Sequence, residues 1–366
     1  MHLGVAAALV DGEIVPGDVD VDDGRITTVG VYPTSGTGLA VPGFIDVQVN
    51  GFAGVDFATA DVEGYVAAAA AMAATGVTCF QPTLVSLPEP DLRAALGVLA
   101  EARQVLGRRL HGAHLEGPFL SPLRCGAHDP ANLRDPDLEL AGRLLAAGPV
   151  SHVTLAPELP GAFELIGFLT GRGVTVAVGH SDAGAAVAHA AFDAGARAVT
   201  HLFNALRPWS HRDPGPAGVA LVRDDVFVTL IADGIHLAPE AVLLAARCSG
   251  PRLVAITDAV SAAAALGGGH HLADRTVRVQ DGAVRLADGT LAGSALTMDA
   301  AVRNLIDLGL DLVSSLQAAT AAPAALIGRP ELGTLSPGTP ADITILDPRL
   351  GVTRTLIGGR VVHPTP

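Results

Sequence analysis

The stretch VTVAVGHSDAGAAVAHAAFDAGARAVTHLFN, residues 174–204, contains a whole strand–helix–strand unit. Its first apolar run, VTVAVGH, ends in Gly179 and His180. An Ala-rich segment with helical character, AAVAHAAFDAGA, follows. A second apolar run, AVTHLFN, again ends in polar residues. Two strands joined through a helix lie parallel, because a crossover of that length carries the chain back to the end where the first strand began. Six more runs of this kind flank the unit: FIDVQVN (44–50), VTCFQPT (77–83), LHGAHLE (110–116), HVTLAPE (152–158), FVTLIAD (227–233) and LVAITDA (253–259). Segments such as VEGYVAAAAAMAATG and PDLRAALGVLAEARQVLG separate most of them. Eight strands alternating with helical segments predict an α/β fold, a (β/α)8 TIM barrel. The weakest unit is NALRPWSHRDPGPAG, whose Pro and Gly predict a long loop with room for only a short helix after it.

The two chain ends read differently. Residues 3–32 carry short strand candidates and the hairpin signal Asp23-Gly24, and residues 333–363 do the same with Gly358-Gly359 as a turn. The expectation is one small β domain, discontinuous in sequence, from 1–40 and 334–366, beside a barrel over 41–333. The segment 264–292 reads as a hairpin insertion. MDAAVRNLIDLG and LVSSLQAATAAPAALIG read as final helices.

Composition narrows the function. The chain has 366 residues, 49% hydrophobic, and a net charge of −14. That charge argues against a nucleic-acid binder, which needs a basic surface. It leaves room for a small anionic ligand, which needs only a few local donors. All 23 basic residues are Arg. Without Lys, neither a metal-bridging carboxylated lysine nor a Schiff base is available. Cys79, Cys125 and Cys248 are far apart and read as reduced thiols. The N-terminus lacks the basic and long apolar regions of a signal peptide, and no apolar run reaches membrane-spanning length. The expectation is a soluble cytoplasmic protein.

In a barrel of this class, chemistry sits at the C-terminal strand ends. This sequence places there Gln48 and Asn50, Glu116, His180, His201, Asp233 with His236, and Asp258. Any one of them alone reads as a loop anchor. Together, two imidazoles and a carboxylate from separate strands can bind Zn²⁺ or a similar divalent ion, with a fourth position open for water. A carboxylate at Asp258 can accept a proton from that water; the competing role is a helix N-cap. Strand 44–50 alternates, with Asp46, Gln48 and Asn50 on one face, so an acid and two neutral amides look toward something polar.

PGFIDVQVNG, HLEGPF, VGHSDA, THLFNA, ADGIH, TDA and LAGSALTMD resemble, in order and spacing, the N-acetylglucosamine-6-phosphate deacetylase family of the amidohydrolase superfamily. The resemblance runs from about residue 41 to 305, and the β-rich ends suit that family's small β-sandwich domain. It implies that Glu116, His180 and His201 ligate one divalent metal ion per subunit, Zn²⁺ first, with Fe²⁺, Mn²⁺ or Co²⁺ also compatible. It implies Asp258 as general base and then general acid, and His128, beside Ala127, near the acetyl carbonyl or the sugar. Without the resemblance His128 reads as a surface residue. Asn204, Ala205, Arg212 and His236 would offer donors to the phosphate. Arg212 reads equally as a solvated loop residue. The loop Asp233, Gly234, Ile235, His236 and the stretch Leu291, Ala292, Gly293 would line the sugar. Many amidohydrolases carry His-x-His where this chain has Gln48 and Asn50. The amides would contact water on the metal or a weak second ion, or else satisfy neighbouring loops. His114 reads as core or as a support to the site, and Cys125 as an incidental thiol. The resemblance further implies a homodimer, with the Arg212 loop reaching a neighbour's site, and a phosphosugar substrate cleaved to acetate and amine. The alternatives are a one-metal amidohydrolase on another N-acyl or cyclic amide, and a non-catalytic barrel scaffold.

Overall fold

The computed structural model describes residues 1–32, 36–265, 267 and 269–364. The expected insertion and the chain-end domain include 33–35, 266, 268, 365 and 366, which lie outside the described residues. All eight expected barrel strands form: β1 (Phe44–Val49), β2 (Val77–Leu84), β3 (Ala113–Glu116), β4 (Val150–Leu155), β5 (Thr175–Val178), β6 (Ala198–Val199), β7 (Phe227–Ile231) and β8 (Leu253–Ile256). They follow one another around a single sheet in sequence order, with parallel pairing throughout. Their aliphatic side chains are buried on both faces, as strands between a barrel interior and a helical ring require.

Helices α1 (Val62–Ala73), α2 (Glu89–Leu106), α3 (Leu138–Ala147), α4 (Ala162–Thr170), α5 (Ala185–Asp193), α6 (Gly215–Val222) and α7 (Pro239–Ser249) fill the ring. In α1 the start is set by Asp61, whose carboxylate accepts from the Gly64 amide at 2.8 Å. Its inner face is Tyr65, Ala68, Ala69, Met72 and Ala73; small side chains let the helix approach the sheet closely. Helix α6 has eight residues and follows the long loop, as its Pro- and Gly-rich approach predicts. After the insertion, α8 (Met298–Asp307) matches the first expected final helix. The second divides into Leu312–Ala319 and Ala321–Leu326 at Thr320. Pro323, three residues on, has no amide hydrogen to continue the first helix's bonding.

The barrel closes between β8 and β1. The Asp258 amide donates to Gln48 O at 2.9 Å, and the Asn50 amide to Ala259 O at 2.7 Å. Beneath them the Thr257 hydroxyl donates to Asp46 Oδ2 at 2.5 Å. Burial pushes the Asp46 carboxyl up to about 7, against the Thr257 and Gln48 bonds that favour its charge. The folded chain therefore holds this proton more tightly than the unfolded chain does. Between about pH 4 and pH 7, Asp46 thus contributes a slope of its own, stability falling as pH rises. Asp46→Asn should remove that slope, worth up to roughly 4 kcal/mol across the window. Urea midpoints for both proteins at pH 5 and pH 7 test this, and equal pH slopes would contradict it.

The chain ends meet in a six-stranded sheet ordered Glu13–Pro16, Val5–Val10, Gly38–Pro42, Ile343–Leu346, Val352–Ile357, Arg360–Pro364. A hairpin of Asp18–Asp22 and Arg25–Val31 packs on it, turning at Asp23-Gly24 as expected. Leu3, Val5, Val19, Ile26, Ile343 and Leu356 form a core separate from the barrel's. The insertion is a three-stranded antiparallel sheet, His270–Leu272, Arg275–Gln280 and Ala283–Arg285, rather than a single hairpin. The difference is the turn Asp281-Gly282, both at positive φ, which adds a second hairpin. Asp56 anchors the sheet to the barrel through the Ala273 amide at 2.6 Å.

Candidate active site

Glu116, His180, His201 and Asp258 lie at or just past the ends of β3, β5, β6 and β8. Three of them leave the strand in the left-handed region, with φ of 47° at His180, 30° at His201 and 49° at Asp258. Such backbone costs roughly 1–3 kcal/mol per non-glycine residue and turns the chain sharply at the barrel mouth. At His201 the bend is held by Thr229, whose hydroxyl accepts the His201 amide at 2.8 Å.

The side chains converge. Glu116 Oε1 lies 3.1 Å from His180 Nε2 and 2.9 Å from His201 Nε2, and the two nitrogens are 3.1 Å apart. Ligands about 2.0–2.1 Å from a tetrahedral ion stand roughly 3.3 Å from one another, so this triangle has the size of three corners of a zinc-like site. The tautomers suit it too. His180 Nδ1 lies 2.8 Å from the Arg124 carbonyl and must donate to it, which leaves the Nε2 lone pair facing the cluster. Among the described residues, His201 Nδ1 is buried with no hydrogen-bond partner. The donor set therefore fits a divalent cation. Burial works against charge on Glu116, but the two imidazoles outweigh it and hold the carboxyl well below the usual range. Burial likewise opposes charge on His201, and Glu116 outweighs it in the upward direction.

Asp258 sits beside this triangle. Its Oδ1 accepts from Asn50 Nδ2 at 2.8 Å and Gln48 Nε2 at 3.3 Å, while Gln48 Nε2 also reaches Glu116 Oε1 at 3.1 Å. The two amides of β1 thus face the carboxylates and tie them together. Burial, then the nearby Glu116 carboxylate, raise Asp258 to about 6. The N-cap alternative for Asp258 does not apply, because turns and not a helix follow it. His128 is buried rather than a surface residue. Its Nδ1 accepts from the Ser86 amide at 3.2 Å, so its proton sits on Nε2, which looks into the site 3.8 Å from Glu116 Oε2. Burial, then His180, lower its pKa to about 3 and keep the ring neutral.

A cavity of about 390 Å³ opens above these groups. Of the residues expected at the site, Asn50, Glu116, Ala127, His128, His180, His201, Asn204, Ala205, His236, Asp258, Leu291 and Gly293 line it. Asp233 stands behind the wall and braces His236, with Oδ2 2.7 Å from Nδ1 and Oδ1 accepting the Ile235 and His236 amides. Gly234 and Arg212 are exposed, Ile235 is half-buried and Ala292 fully buried, all outside the lining. Asn204 Nδ2 donates to the His201 and Leu202 carbonyls at 3.2 Å, so its amide braces the bend after His201. His114 is core, bonded to Thr154 at 2.7 Å and stacked on His152. Cys125 lines the cavity.

Sequence reasoning missed three supports. Ser86 sets the His128 tautomer; it follows β2 directly, and its place at a strand end was a usable signal. Arg124 lines the cavity and bonds Asp182, while Arg275 holds the Ala127 carbonyl at 3.0 Å. Nothing local in SPLRCG or ADRTV marks those two.

Comparison with known proteins agrees with the fold. The model of the amidohydrolase family matches residues 39–362. Human N-acetylglucosamine-6-phosphate deacetylase is 42% identical over 342 residues, covering 88% of this chain and 83% of that protein. N-acetylgalactosamine-6-phosphate deacetylase of Escherichia coli O157:H7 is 36% identical, covering 93% of each. Among solved structures, a mutant N-acetyl-D-glucosamine-6-phosphate deacetylase from Mycobacterium smegmatis, in complex with N-acetyl-D-glucosamine-6-phosphate, superposes with a TM-score of 0.94 at 37% identity, covering 99% of both chains.

Proposed function

This chain belongs to the amidohydrolase family, and from that membership we propose that it hydrolyses N-acetylglucosamine 6-phosphate to glucosamine 6-phosphate and acetate. The observation that carries the reading is the Glu116, His180, His201 triangle with Asp258 beside it. Relatives of that activity over most of the chain support it.

Glu116, His180 and His201 would hold one divalent cation, Zn²⁺ first, a ligand set that Fe²⁺, Mn²⁺ or Co²⁺ also suits. When bound, it supplies Lewis acidity to the acetyl carbonyl and acidifies water. Asp258 removes the proton from the attacking water. Its Oδ1 is taken by two amide donors, so Oδ2 does this work. The neutral His128 ring presents Nε2–H to the carbonyl oxygen as negative charge builds there. Asp258 then returns its proton to the sugar nitrogen as the C–N bond breaks. Asp233 keeps His236 oriented toward the sugar, and Leu291 and Gly293 line the same cavity. The Asn204–Ala205 turn borders the phosphate end. The protein works as a cytoplasmic enzyme, a reading its three free cysteines suit. Among the described residues no helix is long and apolar enough to cross a membrane. It works as a homodimer, with the exposed Arg212 directed to a neighbour's substrate.

The Escherichia coli relative supports a second reading, the C4 epimer as substrate. Acetate release is therefore measured on N-acetylglucosamine 6-phosphate, its galacto epimer and unphosphorylated N-acetylglucosamine. The first is expected to give the highest kcat/KM. A preference for the epimer would transfer the assignment, and no release from either phosphosugar would end it.

A further inference from the structure

The β7–β8 ladder ends where Ile231 stands opposite Ile256. Beyond that pair the segment after the insertion takes over as neighbour, with Ser294 bridging Ala259 in parallel. Ser294 is 2% exposed and does not line the cavity. Its hydroxyl donates to Thr257 O at 2.6 Å and accepts the Leu296 amide at 3.0 Å. Its amide donates to Asp258 O at 2.8 Å, and its carbonyl accepts the Val260 amide at 3.0 Å. The approach is close enough to require glycine beside it. A Cβ on Gly293, at φ 66°, would stand 2.7 Å from Asp258 O and 2.6 Å from Val260 Cγ1. From the other side β1 holds the same stretch, since Gln48 O accepts the Asp258 amide at 2.9 Å. Thr257 Oγ1, bonded to Asp46, accepts the Ala259 amide at 3.1 Å.

We propose that Ser294 is a positioning residue for the general base: its hydroxyl pins the peptide that precedes Asp258 and so fixes the left-handed turn that presents the Asp258 carboxylate to the cavity. The inference rests on the role given to Asp258 above. Its physical basis is the planarity of the peptide unit. The Thr257 carbonyl and the Asp258 amide share one rigid plane, held at the oxygen by Ser294 Oγ and at the nitrogen by Gln48 O. The Asp258 carbonyl and the Ala259 amide share the next, held by the Ser294 amide and by Thr257 Oγ1. Pinning both planes sets the two backbone torsions of Asp258, and Ser294 supplies one pin to each. A non-glycine residue at φ 49° persists only where its surroundings over-determine it. Gln48 and Asn50 orient the carboxylate itself, but they act on the side chain and leave its Cα to the backbone pins. Replacing Ser294 with Ala removes the hydroxyl and keeps the two backbone bonds, so the variant loosens the first plane without dismantling the strand pairing.

The test compares the metal-loaded wild type with Ser294→Ala and Ser294→Cys, with turnover expressed per bound cation. For Ser294→Ala, kcat on N-acetylglucosamine 6-phosphate should fall about ten- to a hundredfold, the scale of a displaced catalytic group. KM should stay within about twofold of the wild type, and cation content should be unchanged, because the lost interaction acts on the reacting step. The loss should be several times smaller on the N-trifluoroacetyl analogue, whose electron-poor carbonyl needs less help from a base. Ser294→Cys, which keeps a weaker donor at the same position, should fall between Ala and the wild type. A merely structural Ser294 would lower the unfolding midpoint and leave kcat per cation unchanged; that outcome, or an equal loss on both substrates, overturns the proposal. Near-normal turnover in Asp258→Asn, or a wild type inactive on both phosphosugars, instead overturns the reading on which it rests.

Discussion

Replacing Asp258 with Asn is expected to lower kcat on N-acetylglucosamine 6-phosphate by about 10²–10⁴-fold, the usual worth of a positioned general acid–base, while the cation stays bound. The geometry gives both halves of that result. Asp258 lies outside the Glu116, His180, His201 triangle, so the ligand set is intact in the variant. An amide at 258 can still meet Asn50 and Gln48, but it cannot take a proton from water. The pH profile adds a sign. The aspartate works as a base only when ionised, and burial with Glu116 beside it raises its pKa to about 6. A bound cation would draw that value down. The acidic limb of kcat/KM should therefore have its midpoint at or below about pH 6, and the variant should lose that limb. Elemental analysis of the purified variant, alongside its turnover, separates lost chemistry from lost metal. Near-normal turnover would remove Asp258 from the mechanism.

Glu116→Gln is expected to be at least as severe, by a different route. Glu116 Oε1 is the atom that both imidazoles and Gln48 approach. The substitution removes the cluster's only anionic ligand and puts an amide in its place, which binds divalent ions poorly. Losing an outer support of a metal ligand already costs about 10–100-fold in affinity, and losing the ligand itself should exceed that. Activity should drop to background after dialysis and return only at cation concentrations far above those the wild type needs. The wild type, treated with a chelator, should lose activity and regain it on defined add-back of Zn²⁺, Fe²⁺, Mn²⁺ or Co²⁺; the order of recovery ranks the metals. Full activity of chelated wild-type protein would rule out the metal-assisted reaction.

The barrel and the catalytic cluster could be read from residue order because both depend on strand ends. An apolar run that stops at a His, Glu or Asp marks the end of a strand, and in a parallel barrel all such ends share one rim. His180, His201, Glu116 and Asp258 each carried that signal. What the sequence did not reveal depends on contacts between loops. The partners of Gln48 and Asn50 follow from the β1/β8 seam, where register decides which carbonyl and which carboxylate they meet. His128 looked like a loop residue because nothing in GAHDP shows that the Ser86 amide, 42 positions away, caps its ring. Arg124 was invisible for the same reason, since its orientation comes from Asp182 and, behind it, Arg207. Asn204 was expected to offer a donor to the phosphate; its side-chain amide closes the turn whose backbone bend places His201.

The joining of the two chain ends has a consequence for synthesis. The strand Gly38–Pro42 pairs on one side with Val5–Val10, made shortly before it, and on the other with Ile343–Leu346. About 300 residues separate its emergence from that second neighbour, roughly 15–60 s at ordinary translation speeds of 5–20 residues per second. For that interval the nascent polypeptide carries an open hydrogen-bonding border of apolar residues, the kind of surface that recruits a wrong strand. This late-made segment also latches the barrel, where Thr344 and Thr355 hydroxyls donate to the Gly76 and Ala73 carbonyls at 2.7 Å. Products cut short before residue 343 should accordingly be caught by chaperones or precipitate, even with every catalytic group already made.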